Sequence, residues 1–136
     1  MKYDYSPYIG IPYLKGGRDI GEALDCWGFV VLIYKELYSV TLPIYQQITP
    51  NNAIDKTSGE LVETELYKIC SVHDVAKEGD ILIFSVGGRP LHIGIALDNH
   101  TMIHCDRNVG SVVENFRIRK WQMRLHKICR HPSLSF

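Results

Sequence analysis

Four cysteines and six histidines are the residues of this chain best suited to do chemistry. Cys26 lies in "EALDCWGFVVLIYKELY", residues 22–38, directly ahead of an almost unbroken apolar run. If Asp25 caps a helix there, Cys26 falls in its first turn, beside unpaired backbone N–H groups and the positive end of the helix dipole. Such a place favours thiolate over thiol, and the thiolate is the nucleophile. Gly28 follows, at a position where a helix interior gives up about 1 kcal/mol relative to alanine. A missing side chain there lets a substrate or another backbone come close. A buried free cysteine is the other reading, and the local residues leave both open.

A nucleophilic cysteine needs a histidine base, and the base needs an orienting partner. His73, His100, His126 and His131 lie in polar or turn-like stretches and read as solvated. His92 and His104 each interrupt an otherwise apolar strand. A three-residue loop of Asp98, Asn99 and His100 between those strands would pair Leu97 with Thr101 and Gly94 with His104. His92 and His104 would then be diagonal neighbours on one face, about 7 Å apart, with Gly94 leaving room between them. A two-residue turn would put the rings on opposite faces. Two satisfied core histidines are the alternative, and the shared register favours function.

These residues need elements to hold them. The first 24 residues, with Pro7, Pro12 and Gly16-Gly17, read as loop. A buried helix is expected from Asp25 to Tyr38, with Pro43 stopping its continuation, and a weaker one from Gly59 to Ile69. "ILIFSV", "LHIGIAL", "TMIHC" and "SVVENF" are short runs separated by turn residues and read as antiparallel strands. Trp121, Met123 and Leu125 alternate with polar residues, which predicts one more half-buried strand. Helices followed by a sheet give an α+β fold, with N-terminal helices packed on an antiparallel sheet in a single domain over residues 1–136.

The composition is 46% hydrophobic and 22% charged, and fifteen basic residues balance fifteen acidic ones. No bulk charge directs the chain to nucleic acid or membrane. The start, "MKYDYSPYIGIPY", lacks the apolar core of a signal peptide, so synthesis in a bacterial cytoplasm without one is the expectation. Four cysteines allow three disulfide pairings, and reduced thiols are expected in that compartment. No C-x-x-C spacing is present, and "CRH" at 129–131 is a weak signal, so no metal is expected. Beyond Glu114 the chain carries Arg117, Arg119, Lys120, Arg124, Lys127 and Arg130 and no carboxylate. A solvated sheet face is the favoured reading, and docking to an acidic neighbour the sharper one.

"DCWGFV", then "HIGIAL", then "MIHC" resemble the NlpC/P60 group of papain-like cysteine peptidases. "PYLKGG" at 12–17 is similar to that family's P-Y-x-x-G-G segment, and "EGDILIF" at 78–84 to the strand before its histidine. The likeness covers most of the chain in the right order. It implies Cys26 as nucleophile, His92 as base, His104 as the third member, and Tyr13 and Trp27 at the oxyanion and substrate. It implies no cofactor. The partner it implies is a peptidoglycan stem peptide, cut at the γ-D-glutamyl to diamino-acid link. "LIYKELYSVTLPIY" and "KWQMRLHKICRHP" resemble the branch carried in bacteriophage and prophage tails, which implies tail proteins as further partners and a place in the virion. Two positions depart from the family's usual pattern: Trp27 stands where a small residue is common, and Ala23 where glycine is usual. A tail structural component with a vestigial site, or a papain-like amidase or acyltransferase, is the alternative function.

Overall fold

Asp25 has extended backbone, and its carboxylate accepts a hydrogen bond from the Gly28 amide at 2.7 Å, so it caps helix α1, Cys26–Leu37. The computed structural model describes residues 1–14, 25–43, 66, 68–86 and 89–134. Trp27 to Val30 and Leu32 to Tyr34 are all buried, as a helix that is apolar nearly all round requires. The helix stops well before Pro43. Tyr38 closes its last turn, and Ser39 takes a left-handed backbone (φ 59°) that no helix can continue. The weaker helix expected over Gly59–Ile69 falls almost wholly outside the described residues.

Among the described residues, six strands form one antiparallel sheet: β1 (Ser71–His73), β2 (Ile81–Val86), β3 (Arg89–Ala96), β4 (Thr101–Asp106), β5 (Gly110–Asn115) and β6 (Leu125–Arg130). Their order is β1-β6-β2-β3-β4-β5. β2 to β5 lie where the apolar runs predict them. The edge strand β1 has no such run and is held by pairing with β6.

The half-buried strand expected around Trp121 is corrected. Residues Arg119–Gln122 form a short helix, α2, and Met123 is 75% exposed while Trp121 is 3% exposed. The reason is topological. β5 lies at one edge of the sheet and β6 pairs on the far side of β2, so the chain between them must cross β4, β3 and β2. Trp121 marks the crossing: its ring meets Phe84 on β2, His92 on β3 and His104 on β4.

Both faces of the sheet are covered, which is why its strands read as near-continuous apolar runs. Ile81, Ile83, Ile93, Ile95, Ile103 and Cys105 share a core with α1. The alternate positions Leu82, Phe84, Ala96 and Met102 pack with Phe116 and Trp121 on the other side. The basic C-terminal stretch is also more than a solvated face. Arg130 grips the buried Asp80 carboxylate at 2.9 and 2.7 Å, and Arg117 donates to the Asn99 carbonyl and side-chain oxygens at 2.7 and 2.6 Å. No helix among the described residues is long and apolar enough to cross a membrane.

Candidate active site

The hairpin between β3 and β4 fixes the histidines. Ile95 pairs with Ile103 and Ala96 with Met102, and the Leu97 amide donates to the Thr101 carbonyl at 2.7 Å. Asp98 shapes the loop by accepting from the His100 and Thr101 amides at 2.8 and 2.7 Å. The connection is therefore the three-residue loop that puts His92 and His104 on one face. Gly94 stands against His104: a Cβ added there would lie 3.1 Å from the His104 Cβ.

His92 Nε2 and His104 Nδ1 are 2.7 Å apart, and the ring centroids 4.9 Å. The other nitrogen of His104, Nε2, lies 2.6 Å from Glu114 Oε2. Glu114 reaches it through register: Met102 pairs with Glu114 and His104 with Val112, so Glu114 is diagonal to His104 on the same face. His104 is fully buried, whereas His92 keeps an exposed edge. Burial and the neighbouring imidazole push His92 down to about 3, so its ring is neutral across the physiological range. Burial also lowers His104, against the opposing pull of Glu114.

Trp121 closes this face over the pair. Its indole stacks on His92 (centroids 5.6 Å, 23° between planes) and meets His104 edge-on at 5.2 Å. Its Nε1 is buried without a hydrogen-bond partner, a loss of about 1–3 kcal/mol that the ring packing offsets. Lys120 Nζ and the Arg124 guanidinium flank the ring at 4.7 and 5.8 Å.

Cys26 opens α1, partly exposed at the margin of the core on the helix-covered face. Tyr13 lies beside it. Burial is the first cause that pushes the Tyr13 phenol up to about 12, and the Cys26 sulfur the second, so the hydroxyl keeps its proton. Tyr13 is carried on a strap tied to the start of β5. Gly10 and Ile11 exchange backbone bonds with Ser111 of that strand (Gly10 N to Ser111 O, Ser111 N to Ile11 O, each 2.9 Å). Ser111 Oγ accepts from the Ile11 amide at 2.7 Å and donates to the Tyr8 carbonyl at 2.6 Å. Gly110 (φ 82°) makes the approach possible, since a Cβ there would lie 2.5 Å from the Ile11 carbonyl oxygen.

The contacts form two pairs, His92 with His104 and Cys26 with Tyr13. The end of β4 links them. The Arg107 guanidinium lies 6.0 Å over the Tyr13 ring, and both Asp106 and Arg107 act on His92. Trp27 departs from its expected place at the substrate. It is 2% exposed, packed in the core, with its indole N–H bonded to the Pro43 carbonyl at 2.9 Å. A large indole one residue into a buried helix faces the core, which leaves it no substrate face. None of the four cysteines is in a disulfide, and burial raises Cys70 to about 11 and Cys105 to about 12.

Glu114 and Trp121 were not among the sequence candidates for the site. Glu114 had a readable signal: counting back from a three-residue turn at Arg107–Val109 places it on the His104 face. Trp121 had none, because its position depends on the crossover. His104, Asp106 and Glu114 offer donor atoms within 4.8 Å of one another, a set able to surround a cation.

Residues 10–130 match the NlpC/P60 family. The chain is 23% identical over 133 residues to a murein DD-endopeptidase/murein LD-carboxypeptidase, MepS, of Escherichia coli strain K12, covering 96% of this chain and 61% of that protein. It therefore spans less than two thirds of that relative's length. It is 30% identical over 124 residues to the probable endopeptidase NlpC of the same strain, covering 85% of this chain and 69% of that one. Among solved structures, the NlpC/p60 domain of the peptidoglycan hydrolase SagA shares its fold, with a TM-score of 0.58 at 23% identity over 92% of this chain and 90% of that domain.

Proposed function

Because this chain belongs to the NlpC/P60 family, we propose that it is a cysteine peptidase that hydrolyses the stem peptides of peptidoglycan. The observation that carries the reading is the 2.7 Å contact between His92 Nε2 and His104 Nδ1, which reserves the other nitrogen of His92 for proton transfer. The murein and peptidoglycan activities named for the relatives support the substrate class.

In this mechanism the Cys26 sulfur attacks the scissile carbonyl carbon and gives its proton to His92. The Cys26 amide N–H and the Tyr13 hydroxyl donate to the oxyanion that forms. His92 passes the proton to the leaving amine as the C–N bond breaks, and water then hydrolyses the thioester. His104 keeps the His92 ring in the orientation both transfers need.

The finer proposal is cleavage at the γ-D-glutamyl to diamino-acid link by a protein carried in a bacteriophage or prophage tail. Its support is the resemblance of residues 32–45 and 120–132 to that branch. Digestion of purified sacculi followed by mass spectrometry tests the reading. Fragments cut at that link are expected from the wild-type protein and none from Cys26→Ala. Intact muropeptides from a folded wild-type protein whose Cys26 reacts with an active-site label would refute the substrate assignment.

A further inference from the structure

We infer that Glu114 is a positioning residue that sets the direction of the hydrogen bonds through the two histidines, and so decides which nitrogen of His92 is left as the base. This rests on the cysteine-peptidase reading for its consequence, but not for its geometry.

The argument is one of donors and acceptors. A carboxylate can only accept, so the 2.6 Å contact between Glu114 Oε2 and His104 Nε2 requires the proton to sit on Nε2. Neutral His104 then has a lone pair at Nδ1. That lone pair lies 2.7 Å from His92 Nε2, which must therefore be the donor. Neutral His92, with its proton on Nε2, has its lone pair on Nδ1, the nitrogen turned away from His104. The chain of contacts leaves one nitrogen free to accept a proton, and Glu114 selects it.

Without Glu114 the two imidazoles have a second arrangement of equal length. His104 would carry its proton on Nδ1 and donate to His92 Nε2, and His92 would carry its own on Nδ1. The heavy atoms need not move, yet His92 could no longer accept a proton from a thiol. Nothing in the His92–His104 pair itself chooses between the two. Steric support does not substitute for the choice: Gly94 and Trp121 hold the rings in place in either tautomer. The charged groups around the pair, Asp106, Arg107, Lys120 and Arg124, act on it electrostatically, while Glu114 supplies the bonded acceptor on His104.

Nitrogen-15 spectra of the histidine side chains at neutral pH test this without any substrate. In the wild-type protein both His92 and His104 are expected as Nε2–H tautomers. Glu114→Ala is expected to populate the Nδ1–H form of both rings and to lower kcat on stem peptides tenfold or more, with KM little changed. Glu114→Gln retains an amide oxygen able to accept from Nε2–H and is expected to keep the wild-type tautomers and most of the rate. An Nδ1–H tautomer at either ring in the wild-type protein would overturn the inference. So would unchanged tautomers in a folded Glu114→Ala. Wild-type protein inert on stem peptides, with the tautomers as stated, would overturn the function proposed above and leave the role of Glu114 standing.

Discussion

Replacing Gly94 by alanine adds a single methyl group against the buried histidine. The new Cβ would stand 3.1 Å from the His104 Cβ and 3.3 Å from the Met102 sulfur, so neighbours must give by a few tenths of an ångström. Met102 can yield by turning its flexible end. His104 cannot move freely, because it is bonded at both nitrogens, 2.7 Å to His92 and 2.6 Å to Glu114. Overpacking at a tight site costs about 1–3 kcal/mol, which for a chain of this size lowers the melting temperature by about 3–12 °C. The catalytic cost is separate: displacing a positioned group by a fraction of an ångström lowers the rate by about tenfold, on the scale of 100-fold per ångström. Thermal melts followed by circular dichroism give the first quantity, and kcat on a stem-peptide substrate the second. Unchanged melting temperature and unchanged kcat in Gly94→Ala would refute both the close packing and the claim that the pair depends on it.

Other outcomes follow from the same geometry. Ser111→Ala removes the hydroxyl between the Ile11 amide and the Tyr8 carbonyl, and chemical denaturation is expected to show a loss of about 1–3 kcal/mol with weakened turnover as the Tyr13 strap loosens. His92 titrates near 6.5 when unfolded and about 3 when folded, so the unfolded chain binds the extra proton between those values. Stability is therefore complete above about pH 6.5 and falls as the solution is acidified. Urea unfolding at pH 7.5 and 4.5 is expected to differ by about 2–3 kcal/mol more in wild type than in His92→Asn. Iodoacetamide on the native protein is expected to label Cys26 alone, because Cys70, Cys105 and Cys129 are buried, and mass mapping of the labelled peptide checks it.

Much of the site was legible before any coordinates. Asp25 ahead of an apolar run marked the helix start, and the cap forms as read, with the carboxylate on the Gly28 amide. The parity of the Asp98–His100 loop put His92 and His104 on one face, because side chains alternate strictly along a strand and a loop of known length fixes the register. The strand read across Trp121 failed for a related reason. Alternation of apolar and polar residues is shared by a strand and by a brief segment that happens to dip one large ring into the core. Trp27 failed because adjacency in sequence to Cys26 says nothing about which side of the helix meets the core.

The sequence by itself determined the local pieces: the capped helix that opens at Cys26, the four successive strands, and the hairpin that brings two histidines together. Each is set by interactions within a few residues or by the periodicity of one or two neighbouring strands. The tertiary structure decided what surrounds them. β6 returns to pair beside β2 rather than beside β5, and that crossover carries Trp121 over the histidine pair. Ser111 ties the distant Tyr8–Ile11 strap to β5 and so brings Tyr13 beside Cys26. The order of strands in a sheet is chosen by the packing of the whole chain, which is why no short stretch of residues contains it.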